Sequence, residues 1–259
     1  MNILEEIIAS KRKYVKEKKD WFAIRQFESS SFFDRECESF VKRCKEGGHT
    51  GIIAEFKRKS PSKGIINEKA DILEVVSSYE KYGAAAISVL TDEIYFGGSN
   101  DDLWKAKSEV DIPVLRKDFI IDEFQVLEAK SIGADAILLI AACLSKEEVK
   151  RLAAFAKSIG LEVLLELHDE QELDHICEEA DMIGINNRDL KNFGVNKDRS
   201  LKMAEKIAGG KLKIAESGIT TQDDIRLFRE NGFIGFLIGE LFMKDPDPGK
   251  AFHEFIRLL

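Results

Sequence analysis

The feature that most constrains the fold is a regular alternation of short apolar runs and amphipathic segments that begins at Gly51. The apolar runs have strand length, and most are continuously apolar, which is typical of parallel strands covered on both faces. Strands are predicted at 52–56, 85–90, 113–117, 136–141, 162–167, 182–186, 213–216 and 234–238.

The segments between these runs have helical spacing and helix-start signals. Ser145 with Glu148, and Thr221 with Asp224, pair a capping hydroxyl with an acid three residues later, so both can bind amides of a first helical turn. A glycine follows four of the segments, where a left-handed residue ends a helix. Helices are predicted at 71–82, 100–108, 123–132, 146–159, 170–178, 197–207, 222–231 and 249–258.

Eight strand–helix units in about 210 residues predict an α/β protein with the (β/α)8 TIM-barrel fold. A doubly wound open sheet is the alternative. If such a sheet bound a dinucleotide, a GxGxxG turn would usually follow its first strand, and this sequence has neither that motif nor a P-loop. The barrel matters for function because it places chemistry at the C-terminal ends of the strands.

The residues before the first strand predict an N-terminal helical extension. Ile3, Leu4, Ile7 and Ile8 have helical spacing, and a basic tract that we expect to be solvated follows them. A second short helix is predicted near 32–45. We therefore divide the chain into an extension at 1–48, packed on the barrel, and a catalytic barrel at 49–259. The N-terminal segment has the features of neither a signal peptide nor a transit peptide.

Composition excludes several classes of function. The net charge of −8 and the pI near 5.3 argue against a nucleic-acid partner, and no apolar run is long enough to span a membrane. Four cysteines without CxxC spacing fit reduced thiols in the cytoplasm, and four histidines form no recognisable ligand motif, so no metal is expected. We predict a cytoplasmic monomer that acts on a small molecule.

Ionisable residues recur at the C-terminal ends of the predicted strands. One such residue could simply be solvated at a strand end, but the whole set favours an active site. The set comprises Glu55, Lys57 and Ser60 after the first strand, Arg116, Lys117 and Asp118 at the third, Glu166 at the fifth, Asn186 and Arg188 at the sixth, Glu216 at the seventh and Glu240 at the eighth.

A phosphate site is predicted in the loops after the seventh and eighth strands, where barrels often bind phosphate through backbone amides. Ser217-Gly218 and Gly239-Glu240 occupy these loops. Glycine allows close approach of the backbone, while the Glu240 side chain is expected to point away from an anion. The alternative is that both glycines merely turn the chain.

Eight motifs distributed along the chain resemble the indole-3-glycerol phosphate synthase family: IIAEFKRKSPSKG, YFGGS, LRKDFI, DAILLI, LLELHDE, IGINNRDL, AESGI and LIGE. The resemblance covers the whole chain, including the N-terminal extension. It implies a lyase of tryptophan biosynthesis that converts 1-(2-carboxyphenylamino)-1-deoxy-D-ribulose 5-phosphate into indole-3-glycerol phosphate, carbon dioxide and water, without a metal or organic cofactor. It also implies N-terminal helices over the barrel mouth.

The resemblance assigns roles to five catalytic residues. Lys117 is the general acid that protonates the ketose oxygen, and Glu166 is the second acid/base, which assists dehydration. Lys57 contacts the substrate carboxylate and shares in proton transfer, while Glu55 and Asn186 orient this set.

The resemblance also implies substrate contacts. Further polar contacts come from Ser60, Arg188 and Ser217, an apolar wall around the anthranilate ring comes from Phe96, Phe119 and Leu138, and the phosphate site comprises Gly218, Gly239 and Glu240. Some relatives have Ser or Thr at the position of Glu240. The glutamate of this chain lacks the hydroxyl contact that those residues could make, but the backbone amide contact stays intact.

The residue chemistry agrees with this resemblance. Two lysines near each other are expected to lower one another's pKa, with glutamates restoring the charge balance, which makes a working acid at neutral pH. Substrate phosphate and carboxylate need cations, which Lys57, Lys117 and Arg188 supply within an acidic protein.

Two other functions remain open from the sequence. A phosphoribosylanthranilate isomerase-like barrel would carry a Cys at the end of the first strand and an Asp at the end of the sixth, where this chain has Glu55–Lys57 and Asn186. A non-catalytic barrel that binds sugar phosphate would keep the loop glycines and lose the lysines and glutamates.

Overall fold

In a computed structural model of the protein, the structure describes residues 3–21, 24–46, 48–189, 194–207 and 210–259. Within these ranges, eight parallel strands form a closed barrel, because the first strand pairs with both the second and the last. The predicted (β/α)8 fold is confirmed. The strands are β1 Ile52–Phe56, β2 Ala86–Leu90, β3 Val114–Lys117, β4 Ala136–Ile140, β5 Glu162–Leu167, β6 Met182–Asn186, β7 Leu212–Glu216 and β8 Phe233–Ile238.

Helices lie outside the barrel and at its two ends. Both predicted capping boxes are present, at Ser145 with Glu148 and at Thr221 with Asp224. No helix in the described ranges is both long and apolar enough to cross a membrane. The helices are α1 Ile3–Trp21, α2 Ile24–Glu28, α3 Phe40–Lys45, α4 Ile72–Lys81, α5 Glu93–Phe96, α6 Asn100–Glu109, α7 Glu123–Ser131, α8 Lys146–Ser158, α9 Lys197–Lys206, α10 Gln222–Glu230, α11 Glu240–Met243 and α12 Pro248–Ile256.

The predicted helix at 170–178 is wrong. The chain instead forms a short 3₁₀ helix over Glu170–His175 after β5. Asp169 caps its first turn, and the carboxylate of Glu172 turns back to accept the backbone N–H of His168 at 2.6 Å. This hydrogen bond holds the start of the segment against the end of β5.

The N-terminal end of the barrel is closed by α3. Phe40 is buried with the residues that fill the barrel interior, and the carboxylate of Glu162 accepts the Ser39 hydroxyl and the Val41 amide. The predicted helix at 32–45 is therefore shorter than expected, because residues 31–35 form turns and only Phe40–Lys45 is helical.

The prediction of a solvated basic tract after the first apolar residues is confirmed for the exposed side chains of Arg12, Lys13, Lys16, Lys18 and Lys19, but it is wrong for Lys11. The helix α1 continues through this tract to Trp21. Lys11 is buried, and its Nζ lies 2.9 Å from Asp92 and 2.7 Å from Asp118. Tyr14 donates its hydroxyl to Glu128 at 2.8 Å. These contacts hold α1 against α7 and against the loops that contain Asp92 and Asp118.

Replacing Lys11 by Met is expected to destabilise the fold, because two buried carboxylates lose their shared cation. Removing one partner of a buried ion pair typically costs about 3–5 kcal/mol. The matched control is Lys13→Met on the same helix, since Lys13 is exposed and its contact with Glu17 is 3.8 Å long; an exposed pair contributes about 1 kcal/mol or less. Urea unfolding measures both variants, and equal losses would show that α1 is not held by Lys11.

Parts of the sequence predictions lie outside the described residues. These are residues 1–2, 22–23 and 47 of the predicted extension, and Leu190, the last residue of the NRDL motif.

Candidate active site

All of the predicted site residues line one cavity of about 260 Å³. Ile3, Leu4 and Ile7 of α1 contribute apolar surface to the same cavity. The structure therefore brings together residues from the ends of all eight barrel strands and the loops that follow them. The predicted residues in this lining are Glu55, Lys57, Ser60, Phe96, Lys117, Phe119, Leu138, Glu166, Asn186, Arg188, Ser217, Gly218, Gly239 and Glu240.

At the end of β1, Glu55 and Lys57 form a close ion pair. Lys57 Nζ lies 2.6 Å from Glu55 Oε1, and the glutamate is buried. Gly239 makes room for this carboxylate, because a Cβ added at Gly239 would lie only 2.6 Å from the same oxygen. Pairing offsets the cost of burying both charges.

Lys117, at the end of β3, lies between two carboxylates from other strands. Its Nζ is 3.1 Å from Glu166 Oε2 and 3.5 Å from Glu216 Oε2. Burial lowers the pKa of Lys117, but the charges of Glu166, Glu216 and Glu55 outweigh burial and raise the pKa above its ordinary value. The expectation that neighbouring lysines lower the pKa of this amine is wrong, because carboxylates dominate its surroundings.

The pKa values of the two carboxylates beside Lys117 are shifted in opposite directions. Burial and the charge of Glu166 raise the pKa of Glu216 well above its ordinary value. Burial acts in the same direction on Glu166, but Lys117 and His168 outweigh burial and hold its pKa below the ordinary value. The pair therefore binds its first proton on Glu216, while Glu166 stays ionised beside the lysine.

The sequence places Glu216 at the end of the seventh strand but assigns it no role. The structure puts it in direct reach of Lys117. Gly184 on β6 creates the space, since an added Cβ there would lie 2.1 Å from Glu216 Oε1. The sequence does contain a signal for this position of Glu216. It lies two residues after Ile214 in the strand LKIAE, so both side chains face the barrel interior.

One side of the cavity is an apolar wall. The ring centroids of Phe96 and Phe119 are 6.0 Å apart, and their planes make an angle of 40°. Leu138 of β4 is buried in the barrel interior and lines the same cavity. These side chains form a surface suited to one face of an aromatic ring.

The loop after β7 has a backbone conformation that favours small residues. Ser217 and Gly218 have φ angles of 64° and 66°. A Cβ at Gly218 would lie 2.4 Å from Val195 Cγ1, so a larger residue would meet both backbone strain and a clash. Asn187 donates its side-chain amide to the Ser217 carbonyl at 2.7 Å, which fixes the loop.

Glu240, after β8, contacts cationic side chains. Its Oε1 lies 3.5 Å from Lys63 Nζ, and its Oε2 lies 3.5 Å from Arg188 Nη2. The backbone amide of Arg188 in turn donates to Asn186 Oδ1 at 3.0 Å. Two cations thus lie beside the cavity at the end where the sequence places phosphate.

Two residues of the LRKDF motif support the site from behind the cavity lining. Arg116 is buried, and its Nη2 lies 2.6 Å from Glu128 and 3.3 Å from Asp118. Asp118 accepts the Phe119 amide and the Thr91 hydroxyl in addition to Lys11. These contacts fix the chain on both sides of Lys117.

The described residues contain no group of three or more His, Cys, Asp or Glu side chains that could hold a metal ion. None of the four cysteines is in a disulfide.

A closed β/α barrel with a lysine between carboxylates at its C-terminal mouth defines a barrel enzyme that performs acid–base chemistry on a small molecule. The sequence pattern of the indole-3-glycerol phosphate synthase family matches residues 4–255, and the chain belongs to this family.

Curated relatives agree with this assignment. The chain is 46% identical over 258 residues to the indole-3-glycerol phosphate synthase of Bacteroides thetaiotaomicron, which covers 100% of this chain and 99% of the relative. It is 43% identical over 255 residues to that of Laribacter hongkongensis, covering 96% and 97% of the two chains. Among solved structures, 3-hexulose-6-phosphate synthase from Salmonella typhimurium matches 80% of this chain and 97% of its own with a TM-score of 0.63 and 14% identity, which shows the shared fold alone.

Proposed function

We propose that the protein is an indole-3-glycerol phosphate synthase: a carboxy-lyase that closes, decarboxylates and dehydrates 1-(2-carboxyphenylamino)-1-deoxy-D-ribulose 5-phosphate in tryptophan biosynthesis. The observation that carries this proposal is the position of Lys117 Nζ, 3.1 Å from Glu166 and 3.5 Å from Glu216, inside a cavity with an apolar wall and glycine-containing loops. Family membership over residues 4–255 supports it.

The cavity offers a place for each part of this substrate. The anthranilate ring fits against the apolar wall, and its carboxylate lies towards Lys57. The phosphate lies at the loops after β7 and β8, where Gly218 and Gly239 let the backbone amides approach and Ser217 and Arg188 add polar contacts. The Glu240 carboxylate, which contacts Lys63 and Arg188, must point away from an anion that binds there.

The proposed mechanism begins with Lys117, which donates a proton to the ketose oxygen as the ring carbon attacks the carbonyl carbon. Carbon dioxide then leaves and the ring regains its aromaticity. Glu166 serves the dehydration step, in which a carbon-bound proton and the new hydroxyl group depart. The raised pKa of Lys117 keeps the amine charged before the reaction, which is the state that a proton donor requires.

The remaining catalytic residues hold this arrangement. Glu55 pairs with Lys57 at 2.6 Å and fixes the ammonium group that faces the substrate carboxylate. Asn186 bonds the loop of Arg188 through its side-chain oxygen. Ring closure itself drives the decarboxylation, so the reaction needs no cofactor, and we propose that the enzyme uses none.

Other parts of the proposal concern the state of the protein. We propose a cytoplasmic monomer that binds no nucleic acid, since the net charge is −8 and the four cysteines are unpaired. We also propose that residues 1–48 act as an extension of the catalytic barrel at 49–259, which the contacts of Lys11 and Tyr14 support.

The test is a fluorescence assay for indole-3-glycerol phosphate formation by the purified protein. Product formation from the carboxyphenylamino substrate is the expected result. The same protein should not isomerise phosphoribosylanthranilate. Binding of the substrate without turnover would instead identify a sugar-phosphate-binding barrel and would refute the proposal.

Replacing Gly218 by Ala is expected to weaken binding of the substrate phosphate. The left-handed backbone costs a non-glycine residue about 1–2 kcal/mol, and the loop must also move away from Val195. We expect KM to rise by about tenfold or more, with a smaller change in kcat, because about 1.4 kcal/mol of binding energy corresponds to a tenfold change. Steady-state kinetics and inhibition by inorganic phosphate measure this effect.

The matched control is Gly210→Ala. Gly210 has a φ of 69° but no neighbour within 4 Å, and it precedes β7 at the opposite end of the barrel. This variant should carry similar backbone strain without a change in KM. An equal rise in KM for both variants would show that the effect comes from general destabilisation and that Gly218 has no special relation to the phosphate.

A further inference from the structure

The proposed reaction consumes a proton, which sets a requirement that the active site must meet. The substrate enters with an ionised ring carboxylate and leaves as neutral carbon dioxide and water plus a product that has lost this charge. Two protons are added to oxygen, first at the ketose carbonyl and then at the departing hydroxyl, and one proton is removed from carbon. One proton must therefore enter from solvent in each turnover.

The groups that exchange protons with the substrate are poorly accessible. The side chain of Glu166 is 4% exposed and that of Lys117 is 14% exposed. The helix α1 contributes Ile3, Leu4 and Ile7 to the cavity lining, and a bound substrate would cover these groups further. A route for protons that does not pass through the occupied cavity is therefore of use to the enzyme.

A histidine and a second carboxylate lie behind Glu166. His168 follows the catalytic carboxylate by two residues, and its Nε2 lies 3.1 Å from Glu166 Oε1. Its Nδ1 lies 3.8 Å from Glu172 Oε2. The other oxygen of Glu166, Oε2, is the one that contacts Lys117 at 3.1 Å. The histidine thus stands between the catalytic carboxylate and a second carboxylate that is more exposed, at 16%.

The ring of His168 has an unusual environment for a buried side chain. Both ring nitrogens are buried, and among the described residues none makes a hydrogen bond of standard geometry with them. An unsatisfied buried polar group calls for an explanation. A ring that only filled space between strands would gain from being apolar, whereas a ring that alternately donates and accepts protons needs both nitrogens turned to carboxylates.

We propose that His168 and Glu172 form a proton relay that connects solvent to Glu166 and, through Glu166, to Lys117. This inference rests on the proposed function. Glu172 takes a proton from solvent and, when its side chain closes the 3.8 Å separation, gives that proton to Nδ1 as the ring releases its Nε2 proton to Glu166 Oε1. Glu166 then restores the proton that Lys117 has donated to the substrate. No bond other than those to hydrogen forms or breaks. The ring ends with its proton on Nδ1, and reorientation of the ring restores the first tautomer before the next turnover.

Other ionisable groups near the relay do not compete with it. Cys143 lies close enough to interact with both carboxylates, and burial followed by the charges of Glu166 and Glu172 raises the pKa of its thiol, so that it stays neutral. On the cavity side, Glu166 faces Lys117 and Glu216. His168 is thus the group placed between the inner and outer carboxylates.

The test compares His168→Gln with His175→Gln. Glutamine has no titrating proton, so His168→Gln is expected to lower kcat by about tenfold or more, with KM changed less than about twofold, because proton transfer by a placed side chain contributes about 10²–10⁴-fold. The solvent deuterium isotope effect on kcat should rise as proton delivery becomes slower. His175 lies on the same 3₁₀ segment and contacts the Leu144 carbonyl, so its variant should keep both values.

Two further variants separate a relay from a structural role. Glu172→Gln removes the outer proton donor of the relay and leaves the ring in place, so it should also lower kcat and raise the isotope effect. His168→Ala opens a ring-sized space, and added imidazole should restore part of its kcat. A fall in kcat that imidazole does not relieve, with an unchanged isotope effect, would overturn the relay.

The outcomes distinguish this inference from the proposed function. If the wild-type protein fails to form indole-3-glycerol phosphate, the proposed function fails. If the wild-type protein forms it and His168→Gln behaves as His175→Gln does, in kcat and in isotope effect, only the relay is refuted.

Discussion

Lys117→Met is expected to lower kcat by about 10²–10⁴-fold, because the variant lacks the proton donor for the ketose oxygen. The lysine is the cation to which Glu166 and Glu216 both turn, at 3.1 and 3.5 Å, and its raised pKa keeps it protonated at neutral pH. Methionine occupies a similar volume but has no exchangeable proton. Fluorescence-monitored turnover measures the loss, and titration with inorganic phosphate measures the state of the phosphate site.

The phosphate site should survive this substitution, because Gly218 and Gly239 lie on other loops. Lys105→Met is the matched control, since Lys105 is on the outer surface of α6 and pairs only with neighbouring Asp101 at 2.7 Å among the ion pairs of the described residues. It should retain full turnover. Near-normal turnover of Lys117→Met would refute its role as general acid, and loss of phosphate binding would show that the variant has lost its fold.

Glu166→Gln is expected to lower kcat by about 10²–10⁴-fold as well, since the amide can neither take a proton from carbon nor return one to Lys117. The change should also alter the pH dependence. Glu166 is the carboxylate that contributes most to raising the pKa of Lys117. Without this charge, less electrostatic stabilisation opposes the effect of burial, so the pKa of Lys117 falls. The basic limb of the kcat/KM profile therefore moves to lower pH.

The control for this variant is Glu170→Gln, because Glu170 lies on the 3₁₀ segment after β5 and pairs with Lys206 at the surface. It should leave both kcat and the pH profile unchanged. If Glu166→Gln raised KM alone and kept kcat, Glu166 would be a binding residue. If the basic limb stayed in place, the charge of Glu166 would not control the lysine.

The fold was predictable because its signals are local. Each barrel strand is a short apolar run, and each following helix begins with a capping residue such as Ser145 or Thr221, so neighbouring residues alone determine the elements. One error involves a distant partner: α3 begins only at Phe40, next to Ser39, whose hydroxyl bonds Glu162. The error at 170–178 lies in a local signal, since Asp169 caps the first turn as in an α-helix but a 3₁₀ helix over Glu170–His175 follows.

The sequence predicts which residues line the site better than it predicts which of their charges pair. Parallel strands of a closed barrel end at one rim, so the residues after them must meet there whatever the details of packing. Which of them touch is another matter. The pairing of Glu216 with Lys117 depends on the absence of a side chain at Gly184 on the neighbouring strand, and no pattern within either strand indicates it.

By itself, the sequence determined the eight β/α units, the set of charged residues at their ends and the family to which the chain belongs. Only the tertiary structure decided that Lys11 is buried between Asp92 and Asp118, that carboxylates raise the pKa of Lys117, and that His168 faces Glu166. The reason is physical. Strand and helix formation depends on residues a few positions apart, whereas charge, burial and pKa depend on distances between residues that only the closed barrel brings together.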